Sequence, residues 1–137
     1  MQPIIIVEDD LDDQEIMRLT FSDLDVKQEV VFFDNAEAAV AYLSRKDVIP
    51  FAVLSDINMP GMNGFQLRDK IHDDPDLRIK CIPYIFLTTG GENKHIWEAY
   101  TKNAQGFFVK PSSVSGWREL LSMVLTYWAN SKKPQLS

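Results

Sequence analysis

Five short apolar runs, separated by segments of helical periodicity, constrain this chain more than any other feature. Pro3 to Val7, Glu29 to Phe33, Phe51 to Leu54, Ile82 to Leu87 and Phe107 to Val109 are rich in branched and aromatic residues. Strands covered on both faces read this way, because neither face meets water. Between them, apolar residues recur at helical spacing: Ile16, Met17, Phe21 and Leu24, then Ala36, Ala39, Val40 and Leu43, and finally Trp117, Leu120, Leu121, Val124, Leu125 and Trp128. The spacing predicts helices over about Asp12 to Leu24, from Ala36 onward, Phe65 to His72, Lys94 to Asn103, and through the last stripe. Asp73-Asp74-Pro75 ends the third, since proline cannot continue a helix. Five strands alternating with five helices through short connections predict an α/β fold, a doubly wound parallel sheet with helices on both faces.

The 137 residues, 45% of them hydrophobic, suffice for one domain with a real core, over residues 1–130, followed by a polar tail over residues 131–137. A formal net charge of -6 disfavours a nucleic-acid partner, because phosphate neutralisation drives such binding. No apolar run reaches membrane-spanning length, and the opening Met1-Gln2-Pro3 is unlike a signal peptide, so a cytoplasmic protein with no membrane partner is expected. Cys81 beside an apolar run reads as a small buried hydrophobe. His72 and His95 lack a metal-ligand partner at suitable spacing and read as surface or boundary residues.

In a parallel sheet all strand carboxyl ends lie on one edge, where ligands bind. Four of the five predicted strands end there in charged or hydroxyl side chains: Glu8 and Asp9, Asp56, Thr88, and Lys110. Taken singly, each is ordinary: a helix-start charge, a turn residue, a strand-end hydroxyl, a surface cation. Together they require four coincidences. Two nearby carboxylates repel unless one is protonated or a cation intervenes. An oxygen-only donor set with few carboxylates suits Mg2+. The expected ligands are Asp9, Asp56 and the Asn58 main-chain carbonyl, with Glu8 acting through water. Asp10 reads as a helix-start residue. A metal, the Lys110 ammonium and the Thr88 hydroxyl form a sufficient kit for phosphoryl transfer to Asp56, a chemistry that asks mainly for placed charge. Gly61 and Gly64 flank the loop after Asp56, where positive φ is easily accommodated.

These residues resemble the receiver domains of two-component response regulators. IIIVEDD is similar to the acidic end of the first strand, LSDINMPGMNG to the phosphoacceptor loop, LTTG to the switch threonine and FFVKP to the lysine-proline turn, in the family's order and across nearly the whole chain. The resemblance implies a flavodoxin-like sheet of order 2-1-3-4-5, Mg2+ on Asp9 and Asp56, and phosphoryl transfer to Asp56 from the phosphohistidine of a sensor histidine kinase. It also implies that Thr88 and Lys110 engage the phosphoryl group. DPDLRIKCIPYIFLTT and the terminal YWAN are similar to stand-alone regulators that partner phytochrome-type kinases. Phe107 takes the place of the family's aromatic switch, here without a hydroxyl. Self-dephosphorylation is then the only catalysis expected, and output would pass to a downstream protein target or a phosphotransfer protein.

A Mg2+-dependent phosphatase with an aspartyl nucleophile is a rival reading. Such enzymes usually carry a second Asp two residues on, where this chain has Asn58. A receiver-like scaffold that is never phosphorylated is another. Finally, Ile96, Trp97 and Tyr100 on the fourth predicted helix, with Leu120, Met123 and Tyr127 on the last, form more apolar surface than one sheet face requires. That excess predicts a homodimer through the fourth helix, fifth strand and last helix.

Overall fold

A computed structural model describes residues 2–134. Its five strands are β1 (Ile4–Val7), β2 (Val30–Phe33), β3 (Ala52–Ser55), β4 (Tyr84–Thr88) and β5 (Gly106–Val109). Six helices follow them, two of them after β3: α1 (Leu11–Asp23), α2 (Ala36–Leu43), α3 (Gly64–Asp73), α4 (Pro75–Arg78), α5 (Asn93–Thr101) and α6 (Val114–Asn130). All strand pairs are parallel, in the order β2-β1-β3-β4-β5. The chain leaves β1 towards one edge and returns across it to β3, so the strand order reverses between β1 and β3. In open parallel sheets ligands bind beyond the carboxyl ends beside such a reversal.

Alternation along the strands sorts the core into two layers. Ile5, Val7, Val53, Tyr84 and Phe86 face α2, α3 and α5, meeting Ala39, Leu43, Leu67, Ile71 and Ala99. Ile4, Ile6, Leu54, Ile85 and Leu87 face the other way, onto Met17 and Phe21 of α1 and Trp117, Leu121 and Val124 of α6. β1, β3 and β4 are buried throughout, whereas the edge strand β2 is half-buried and β5 is half-buried up to the exposed Val109.

Several boundaries depart from the sequence reading for identifiable reasons. The proline that ends α3 also begins a short helix, α4: Pro75 takes the first helical position, where its missing N–H costs nothing, and the Asp74 carboxylate caps it by accepting from Asp76 N at 2.9 Å. Cys81 is exposed rather than buried, because it turns the chain at φ 53° before the apolar run begins. Leu120, in contrast, is buried, at 8% exposure, and belongs to the α1–α6 core instead of an outer stripe. The tail is anchored as far as it is described: the Lys133 ammonium donates to Phe51 O at 3.0 Å and lies 5.5 Å from the Phe51 ring centre. Residues 135–137 of the predicted tail lie outside the described residues. No helix among the described residues is long and apolar enough to cross a membrane.

Candidate functional site

Backbone bonding carries the sheet one step past the formal strand ends and levels the site residues. Glu8 N donates to Phe33 O at 2.9 Å, Asp56 N to Val7 O at 3.0 Å, and Lys110 N to Thr88 O at 2.7 Å. Glu8, Asp56, Thr88 and Lys110 therefore share one rim. The Lys110 side chain, 6% exposed, then reaches across the strands. Its ammonium lies 2.6 Å from Glu8 Oε1, 2.7 Å from Asp13 Oδ2 and 3.1 Å from Asp56 Oδ2. Carboxylate oxygens of Glu8, Asp9 and Asp56 can all lie within 4.8 Å of one another, which is the spacing a hard divalent cation needs.

Electrostatics follow from this crowding. Burial, reinforced by the Asp56 charge, pushes the Glu8 carboxyl up to about 7 although Lys110 pulls it down. Burial alone would lower the Lys110 ammonium, but its hydrogen bonds to Asp13 and Glu8 and the neighbouring carboxylate charges outweigh that and raise it. One cation therefore serves several anions. A donor set of three carboxylates with a surplus of negative charge fits Mg2+, with Asp9 and Asp56 to hold it; each Asp56 oxygen already carries one contact, to Ile57 N or to Lys110, and keeps acceptor capacity for a cation. Glu8 Oε1 meets Lys110, and Oε2 accepts from Asp10 N at 3.1 Å.

The loop after β3 is held from three sides. Asp56 Oδ1 accepts from Ile57 N at 2.7 Å, and Gly64 N donates to Ile57 O at 2.9 Å. A side chain at Gly64 would put its Cβ 2.2 Å from Asp56 O, so close approach, not a positive φ, requires glycine there; Gly61 does adopt φ 74°. Glu37 of α2 reaches over to accept from Met62 N at 2.9 Å. Asn58 is exposed in this loop, two residues beyond Asp56. Thr88 is fully buried, its hydroxyl 3.4 Å from Thr89 O.

Asp10 is the α1 N-cap, accepting from Asp13 N at 3.0 Å, as its sequence position suggests. Asp13 itself was legible only as a first-turn helix charge, yet it enters the site. A usable signal is that the helix starts immediately after the acidic strand end, which turns residues 13 and 14 back over β1; Gln14 is buried and donates to Glu8 O.

Phe107 is half-buried, its ring centre 6.4 Å from that of Phe86, in a row of rings that continues through Phe65 to His95. Ile96 is half-buried, while Trp97, Tyr100, Met123 and Tyr127 are exposed. His72 is exposed and His95 half-buried.

Residues 4–123 match the family model of the response regulator receiver domain. The chain belongs to this family. Response regulator Rcp1 of Synechocystis is 22% identical over 91% of this receiver and 87% of its own length. The phosphorylated cyanobacterial phytochrome response regulator RcpA superposes with a TM-score of 0.85 at 23% identity, covering 96% of each chain. The receiver domain of a Pseudomonas aeruginosa sensor histidine kinase, solved with a magnesium ion coordinated in its active-site cleft, superposes with a TM-score of 0.78 at 22% identity over 95% of this chain and 98% of its own. At these identities the superpositions establish the fold, in the strand order that the family resemblance implies.

Proposed function

We propose that this receiver accepts a phosphoryl group on Asp56 from a sensor histidine kinase and thereby switches its binding to a downstream protein or a phosphotransfer protein. One observation carries the reading: Lys110 meets Asp56 Oδ2 at 3.1 Å inside a carboxylate cluster able to hold a divalent cation. The Asp56 carboxylate forms an O–P bond as the N–P bond of the phosphohistidine breaks, and the departing imidazole keeps the electron pair and takes up a proton. Mg2+, held by Asp9, Asp56 and the Asn58 carbonyl with Glu8 acting through water, would supply charge neutralisation for the incoming group. Lys110 and the Thr88 hydroxyl hold the phosphoryl oxygens. Thr88 couples that state to the α5 side by a population shift, with Phe107 as the adjoining aromatic. Phosphorylated RcpA and the magnesium-bound receiver support this reading by analogy of fold. A phytochrome-type kinase is the partner the resemblance favours.

The protein is then a signalling module and not an enzyme acting on separate substrates. Asn58 cannot donate the proton that a phosphatase of this design needs two residues beyond its nucleophile. Incubation with acetyl phosphate and Mg2+, followed by intact mass measurement, tests the proposal: one adduct on wild type and none on Asp56→Asn supports it, rapid turnover of varied phosphoesters indicates the phosphatase, and no adduct on either indicates a scaffold. Exposed Trp97 and Tyr100 on α5, Val109 on β5, and Met123 and Tyr127 on α6 support homodimerisation through these elements, together with half-buried Ile96 on α5. Sedimentation showing monomers both with and without a phosphoryl analogue would contradict the dimer.

A further inference from the structure

An ammonium has three N–H donors, and Lys110 spends all three on carboxylates: Glu8, Asp13 and Asp56. These partners differ in how readily they can be given up. The Glu8 side chain is 1% exposed and that of Asp56 10%, against 26% for Asp13. A carboxylate that loses its cation must be rehydrated, which is costly in the interior and cheap where water reaches it. Asp13 is the partner that can be released. It also comes from α1 and lies outside the Glu8, Asp9 and Asp56 cluster, so no metal there relieves its dependence on Lys110.

We propose that Asp13 is a positioning residue that keeps the Lys110 ammonium engaged and competes with the phosphoryl group for it, lowering the occupancy of the phosphorylated state. The inference rests on Asp56 being the phosphoryl acceptor. A phosphoryl group on Asp56 brings more negative charge than the carboxylate it covers and several acceptor oxygens. Only the donor now directed at Asp56 is ready for them; a second must be withdrawn from Asp13. Asp13 Oδ2 and Asp56 Oδ2 touch the same nitrogen, so an ionised Asp13 also repels what is built on Asp56. Both effects oppose the phosphorylated state. Neither requires Asp13 to touch the metal or the phosphorus.

The test titrates beryllofluoride, a phosphoryl mimic, into the full chain at saturating Mg2+ by calorimetry, with urea unfolding to verify that each variant is folded. Asp13→Asn should tighten beryllofluoride binding on the order of fivefold, the size of coupling between neighbours in one charged network. Asp13→Glu should restore wild-type affinity, and the gain should shrink in the Lys110→Ala background to the part that repulsion alone supplies. Unchanged or weaker binding in Asp13→Asn overturns the inference. So does an undiminished gain in Lys110→Ala, which would make Asp13 a bare repelling charge. If wild type binds no beryllofluoride, or Asp56→Asn binds it equally well, the Asp56 reading fails and takes this inference with it.

Discussion

Two lysines at different places in the fold are each held by three oxygens, with opposite consequences. Lys80 donates to the main-chain carbonyls of Leu43, Arg45 and Val48 at 2.6, 2.8 and 2.8 Å. These groups lie at and just beyond the end of α2, where the last carbonyls have no partner within the helix and a cation is favoured by the helix dipole. Lys110 meets the three carboxylates of the rim. Carbonyls are neutral dipoles: they satisfy Lys80, yet burial still lowers its ammonium below the ordinary value. Carboxylates bring full charges, and Lys110 is raised despite deeper burial. One arrangement is finished, with its donors and acceptors matched. The other is left with surplus negative charge, which a metal ion or a proton on Glu8 can balance.

That contrast makes testable demands. Lys110→Ala should be the more damaging change: it leaves buried carboxylates unpaired and should cost about 3 kcal/mol in urea unfolding without metal. The variant should still bind Mg2+ but lose phosphorylation-dependent partner binding; retention of that binding would break the contrast. Next in size, Mg2+ at about a hundred times its Kd should stabilise wild type by about 2.7 kcal/mol, an effect abolished by chelation and strongly reduced in Asp9→Asn. Equal stabilisation of wild type and Asp9→Asn would remove Asp9 from the metal site. Lys80→Met should have the smallest effect, about 1 kcal/mol for carbonyls that water can partly recover. Its loss should be independent of Mg2+, with the Asp56 adduct unaltered; a change in adduct yield would show that the two lysines are coupled.

The same contrast explains what the sequence could reveal. Glu8, Asp56, Thr88 and Lys110 were legible because each follows an apolar run, and parallel topology sends all such ends to one edge. The strand core was legible for the same reason: Ile4 to Val7 and Phe51 to Leu54 leave no polar face to assign. Asp13 was hidden, since its meeting with Lys110 spans 97 positions and its local pattern is that of any helix start. The carbonyl cradle of Lys80 was equally hidden, because main-chain acceptors leave no mark on residue identity. Leu120 was misplaced because helical spacing gives the width of an apolar stripe but not how far α1 wraps around it. Cys81 followed its apolar neighbours on paper, whereas its backbone turns outward.

The most direct test of the central claim is a crystal structure of the protein with Mg2+ and beryllofluoride. The account predicts beryllium joined to an Asp56 carboxylate oxygen, the metal between Asp9 and Asp56, and Lys110 and Thr88 against the fluorides. Fluoride density away from Asp56, or Lys110 turned out of the rim, would contradict it.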